Sequence, residues 1–171
     1  LEENPALEED DLEENQDAQY IPSKKWNFEE LQIEEKSESL NHYLEKQLVG
    51  LNLEANNLNG ELPSVIGKLI NLNTISIATN HITGSIPPEI GRLTQLTSLD
   101  FHNNRLSGKI PSEIGKLTKL TRLILKENQL NNEIPSEIYN LINLNYFQIN
   151  DNLLVFFFLN KSNNSLFNSV N

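Results

Sequence analysis

The feature that most constrains this chain is a register. Asn56, Asn80, Asn104, Asn128 and Asn152 are each 24 residues apart, and so are Pro63, Pro87, Pro111 and Pro135. Leu58, Ile82, Leu106, Leu130 and Leu154 keep the same step, as do Gly60, Gly84 and Gly108, and Gly67, Gly91 and Gly115. A unit of that length is one supersecondary element that cannot bury its apolar face alone, so neighbours must stack and share a continuous core. The register therefore predicts a quasi-one-dimensional molecule rather than a chain wrapped around a single centre.

Residues 96–119 show what one unit does. Leu96, Leu99 and Phe101 are spaced so that the last two alternate, which suits a short strand with one face buried. Asn104 follows, where its amide can satisfy backbone groups that a buried turn leaves unpaired. Gly108 allows a tight bend, and Pro111 fixes φ as the chain turns to the far side. Ile114 and Leu117 return to the core three apart, as a helical or 3₁₀ turn places them.

With those residues in view, the chain resembles the leucine-rich repeat family in its plant-type subclass, whose unit reads L-x-x-L-x-L-x-x-N-x-L-x-G-x-I-P-x-x-I-G-x-L-x-x. The match covers residues 48–152, with Phe101 standing in for one Leu. The resemblance implies an α/β solenoid of about five coils. A parallel β-sheet would line its concave side, short helical or 3₁₀ turns its convex side, and a second small sheet the L-x-G-x-I-P segment. It also implies a non-catalytic binding module. Two departures fall in the fourth unit, where Asn132 and Tyr139 replace the two glycines. Asn tolerates positive φ, so the first change is mild. The fifth unit loses the Ile-Pro pair, and the family's Cys-bonded end caps have no counterpart here, because the chain has no Cys.

Charge divides the chain. Residues 1–47 carry fifteen Asp or Glu against four Lys or Arg, a net of −11, whereas residues 48–171 carry nine of each. Residues 1–26 are expected to form an acidic, largely disordered leader, either a solvated tail or an acidic arm for a basic partner. Residues 27–47 are expected to be a helical N-terminal cap, with a capping-box spacing from Asn27 to Glu30 and Leu40, Tyr43, Leu44 and Leu48 at helical spacing. Residues 153–171 are expected to be an apolar C-terminal cap, "LLVFFFL", followed by an Asn/Ser-rich tail with N-x-S triplets at Asn160 and Asn163. The lesser alternatives for residues 153–159 are an interface with another chain and the cut edge of a longer solenoid. The chain starts without Met and contains none, which fits a processed or trimmed piece.

Chemistry has little purchase on this sequence. His42, His81 and His102 share no spacing, so no metal site is expected. Every Gly from Gly60 onward is explained by the repeat, which leaves no phosphate loop, and no cofactor is expected. Glu89/Arg92 and Glu113/Lys116 read as surface ion pairs on the convex side. There Lys68, Arg92 and Lys116 form a basic column, either a solvated face or a dock for the acidic leader. A balanced repeat region behind an acidic leader offers nothing to a phosphate backbone, so nucleic acid is not expected. No run of about eighteen apolar residues exists to enter a membrane.

The concave strands are where the units differ. Alternation turns three columns outward: Gly50, Thr74, Ser98, Arg122 and Tyr146; Asn52, Ser76, Asp100, Ile124 and Gln148; and Glu54, Ala78, His102, Lys126 and Asn150. The candidate binding residues are Asp100, His102, Arg122, Ile124, Lys126, Tyr146, Gln148 and Asn150, with Asn56, Asn80, Asn104, Asn128 and Asn152 as a structural ladder. Tyr and Arg are the types that most often anchor interfaces. The expected function is protein–protein interaction through the concave face, with another protein or peptide as partner. Contacts through the acidic leader or residues 153–159 would be additional. The alternatives are the peptide- or glycan-binding fragment of a larger receptor, and a structural subunit of a large assembly. The compartment is open, intracellular or extracellular.

Overall fold

The computed structural model describes residues 48–155. The helical cap expected over 27–47, the acidic leader, His42 and the tail beyond Val155 lie outside the described residues.

Within them the 24-residue register becomes five stacked coils. Each coil opens with a three-residue strand: β1 (Gly50–Asn52), β3 (Thr74–Ser76), β5 (Ser98–Asp100), β7 (Arg122–Ile124) and β9 (Tyr146–Gln148). These form one parallel sheet in the order β1-β3-β5-β7-β9, in a register that places equivalent repeat positions side by side. Ile75, Leu99, Leu123 and Phe147, the middle residues of the last four strands, point inward and are buried.

Leaving the strand, the chain meets the Asn ladder, which explains why a polar residue recurs in the core. Asn104 is 8% exposed. Its Oδ1 accepts from the Ile82 N–H of the preceding coil (3.0 Å), and its Nδ2 donates to the carbonyls of Ile77, Phe101 and His102. Asn80, Asn128 and Asn152 repeat the arrangement, each reaching one coil back. Asn56, in the first described coil, donates instead to its own Glu54 carbonyl.

The residue before each ladder Asn is left-handed: Ala55, Thr79, Asn103, Glu127 and Asp151 have φ between 53° and 56°. L-residues other than Gly rarely adopt this conformation. Here its use is visible. In the middle coils the N–H of this residue donates across to the next coil (Thr79 to His102, Asn103 to Lys126), and its carbonyl accepts from the ladder Asn N–H of the coil before (Asn80 N–H to the Asn103 carbonyl, Asn104 N–H to the Glu127 carbonyl).

A second, smaller set of parallel strands follows: β2 (Asn59–Glu61) with β4 (His81–Thr83), and β6 (Ser107–Gly108) with β8 (Gln129–Glu133) and β10 (Leu153–Val155). Here Asn132 has φ 67°, alongside 72° and 73° for Gly84 and Gly108, so it fills the glycine position in the conformation that position requires. Strand β10 pairs with Asn131–Glu133, which carries the fifth coil three residues past Asn152 into the apolar stretch. His81 opens strand β4.

Leu62-Pro63 and the three Ile-Pro pairs after it then each deliver an extended Pro into a five-residue 3₁₀ turn: Ser64–Lys68, Pro88–Arg92, Ser112–Lys116 and Ser136–Asn140. An i to i+3 bond, such as Leu117 N–H to the Ile114 carbonyl (3.0 Å), sets both residues on the buried face. These turns stack so closely that glycine is required for space. A Cβ on Gly91 would lie 2.5 Å from the Glu113 carbonyl oxygen, and one on Gly115 would lie 2.5 Å from that of Glu137. The surface pairs expected from Glu89/Arg92 and Glu113/Lys116 do not form. Among the described residues the contacts between acidic and basic side chains are the Asp100–His102 hydrogen bond and the Lys126–Glu127 ion pair. A five-residue turn gives exposed side chains no second turn to hold them, so solvent competes successfully for both charges.

Candidate binding surface

The concave sheet brings together the candidate residues of its last three strands. Ser98, Arg122 and Tyr146 are direct cross-strand partners, as are Asp100, Ile124 and Gln148. Strand neighbours lie about 4.8 Å apart, so the five strands make a surface roughly 20 Å across.

The first two strands present Gly50, Thr74, Asn52 and Ser76, a floor of small and polar groups with little reach. From the third strand onward the side chains are longer and interact with one another. His102 is held by Asp100: its Nδ1 lies 2.7 Å from Oδ1, and its backbone N–H donates to the same oxygen at 3.2 Å. The two side chains are 25% and 17% exposed, so the pair sits within the surface rather than above it. Arg122 lies over the ring of Tyr146, 4.3 Å from guanidinium carbon to centroid. Lys126 pairs with Glu127 of its own strand end at 3.2 Å. Gln148 and Asn150 are half-buried, with the Asn150 amide donating to the Asp151 carboxylate.

Ile124 departs from expectation. It occupies the outward column but is only 2% exposed, so it offers no apolar anchor to a partner; Ala78, also placed outward by alternation, is fully buried. The reason is crowding: Ile124 is flanked across the sheet by Asp100 and Gln148 and along the chain by Arg122 and Lys126. Alternation in the sequence gives direction but not crowding. Tyr146, by contrast, is 39% exposed on the last described strand. The sequence columns predicted that Arg122 and Tyr146 would be neighbours. Their stacking, the Asp100–His102 pair and the Lys126–Glu127 pair were not read from the sequence, although a basic residue beside an aromatic one in adjacent columns is a usable signal for the first.

No group of three or more His, Cys, Asp or Glu among the described residues is placed to hold a metal ion. No helix among them is long and apolar enough to cross a membrane.

A family model described as a leucine-rich repeat region matches residues 30–152, well over half of the chain. A search of curated protein sequences returns no match. Among solved structures, the chain is similar to the leucine-rich repeat ectodomain of the membrane receptor kinase GASSHO1/SCHENGEN3 from Arabidopsis thaliana, determined in complex with CASPARIAN STRIP INTEGRITY FACTOR 2. That similarity has a TM-score of 0.62 and 39% identity, over 63% of this chain and 13% of that one. The BIR3–SERK2 complex from Arabidopsis thaliana matches with TM-score 0.60 and 34% identity, over 62% of this chain and 57% of that one. The Arabidopsis receptor kinase HAESA, in complex with the peptide hormone IDA and the co-receptor SERK1, matches with TM-score 0.59 and 32% identity, over 61% of this chain and 18% of that one. The chain thus spans between 13% and 57% of the length of these structures. With the register, the Asn ladder, the paired sheets and the stacked 3₁₀ turns all in agreement with the family model, this chain belongs to the leucine-rich repeat family, in its plant type.

Proposed function

We propose that this chain is a non-catalytic module that binds another protein or a peptide on its concave face, centred on coils three to five. The observation that supports it most is the distribution of variation. Core positions stay apolar along the stack and the ladder position stays Asn, whereas the outward strand positions run from Gly50, Thr74 and Ser98 to Arg122 and Tyr146. Asp100, His102, Arg122, Lys126, Tyr146, Gln148 and Asn150 form the contact region in this reading. Ile124 supports them from beneath.

A receptor-like setting is favoured over a structural subunit by one observation. The similar solved structures include receptor-kinase ectodomains, and HAESA was determined with a peptide and a co-receptor protein bound. In that setting this chain supplies the recognition element of a larger protein, and no reaction is assigned to it.

The test is capture of partners from a native extract by the full chain, followed by mass spectrometry, in three forms. These are the wild type, the concave variant Arg122→Ala/Tyr146→Ala, and the convex control Arg92→Ala/Lys116→Ala. A partner lost with the concave variant and kept with the convex control supports the reading. A partner lost only with the convex control refutes it, provided that both variants melt as the wild type does.

A further inference from the structure

Resting on the concave-face reading, we propose that the contact region selects an acidic side chain, an Asp or Glu of an extended partner segment, and that Arg122 is the residue that receives it.

The argument is one of charges already committed and one that is not. On the C-terminal half of the concave face, Asp100 is engaged by His102 and Lys126 by Glu127. Arg122 enters neither contact, and no ion pair among the described residues includes it. It is exposed, and its position is set by Tyr146, whose ring lies 4.3 Å below the guanidinium carbon. With its carbon 4.3 Å from the ring centroid, the guanidinium meets the ring on one side and leaves the donors that point away from the ring open. The N–H groups radiate from its edge, in the fork that matches the two oxygens of a carboxylate. An arginine laid on an aromatic ring is therefore held still while its donors stay available, and a partner carboxylate has less side-chain motion to arrest on binding.

Shape decides between a side chain and a chain end. Arg122 stands on the fourth of five strands, an interior position. Its column on one side is Ser98, Thr74 and Gly50, which rise little above the sheet and leave room for a backbone to lie across the strands. A segment running along that floor passes over the Arg122 column and continues beyond it, so it presents side chains there and not its terminus.

The experiment is selection of a random peptide library displayed at the N-terminus of a phage coat protein, where fusion removes the free C-terminal carboxylate. It is panned against the full chain, with the S98W chain as counter-selection because a Trp at that position fills the floor. The expected result is enrichment of sequences with Asp or Glu at one fixed position. A synthetic peptide from that set, capped at both ends, should lose roughly tenfold in affinity when its acid is changed to the amide. The Arg122→Gln chain should bind the acidic peptide equally weakly and should no longer distinguish the two peptides. Tyr146→Phe should retain the discrimination and Tyr146→Ala should reduce it, because the ring positions Arg122 and its hydroxyl does not. Enriched peptides without a fixed acid, or an Arg122→Gln chain that still prefers the acid, overturn the carboxylate assignment and leave the concave face standing. If no peptide is enriched on the wild type over S98W, the concave-face reading itself fails.

Discussion

Removing the Asn104 side chain should show how the coils are tied together, and the cost can be worked bond by bond. Asn104→Ala deletes one accepted and three donated hydrogen bonds. The three carbonyls are not orphaned. Ile77 keeps the Asn80 amide at 2.8 Å, Phe101 keeps the Asn128 amide at 2.9 Å, and His102 keeps the Thr79 N–H at 2.9 Å. Only the Ile82 N–H, inside the stack, loses its acceptor. An unsatisfied buried donor costs about 1–3 kcal/mol and each lost shared bond a few tenths, so the total is about 2–4 kcal/mol. Asn80→Ala should cost more, because its Oδ1 accepts from both the Asn56 and the Leu58 N–H. Asn152→Ala should cost less, because its site is partly open to water. Asn104→Asp should be worse than Ala, since it directs a carboxylate oxygen at three carbonyls in place of a donor. Urea unfolding followed by circular dichroism gives the order. Amide exchange gives the cause: Ile82 should lose protection in Asn104→Ala beyond the loss shared by the whole chain. Equal costs at Asn80, Asn104 and Asn152, or an Ile82 amide no more exposed than its neighbours, would refute the ladder account.

Three further substitutions test the stack. Gly91→Ala forces a Cβ to within 2.5 Å of the Glu113 carbonyl oxygen and 2.7 Å of its Cβ. It should therefore cost about 1–3 kcal/mol, seen as a lower urea midpoint. Gly50→Ala meets the Thr74 hydroxyl at 3.1 Å, on an exposed side chain that can rotate, and should leave the midpoint within error. Thr79→Asn removes a β-branched residue from a φ of 56° and should raise stability by about 0.5–1 kcal/mol, measured as an increase of a few degrees in Tm.

Most of the fold was legible because each repeat position has one job, and 24-residue spacing exposes positions that share one. The strand, the ladder Asn, the Ile-Pro bend and the core leucines could all be placed from residue type. The left-handed column could not. Ala55, Thr79, Asn103, Glu127 and Asp151 have no chemistry in common, and what they share is a backbone hydrogen bond to a neighbouring coil, to both neighbours at Asn103 and Glu127. Ile124 misled for a related reason, since burial on a concave face depends on side chains two residues and one strand away. The convex ion pairs failed because spacing of three residues brings charges near each other without giving them a reason to meet.

These misses bear on how the binding surface relates to the scaffold. The interactions that fix the solenoid, the amide ladder and the glycine contacts, lie in the turns and on the convex side, and do not include Arg122 or Tyr146. Exchanging both for Ala should cost the fold little beyond their mutual stack, about 0.5–1 kcal/mol at an exposed site. That is small beside the 2–4 kcal/mol expected for one ladder Asn. A change in recognition at those two positions can therefore be made while the stack stays folded, and this is the physical condition under which repeats can keep one scaffold while their outward residues diverge. It also gives the relation a measurable form. If Arg122→Ala/Tyr146→Ala lowered the urea midpoint as far as Asn104→Ala does, the pair would be part of the scaffold, and its distinctive residues would report on stability rather than on a partner.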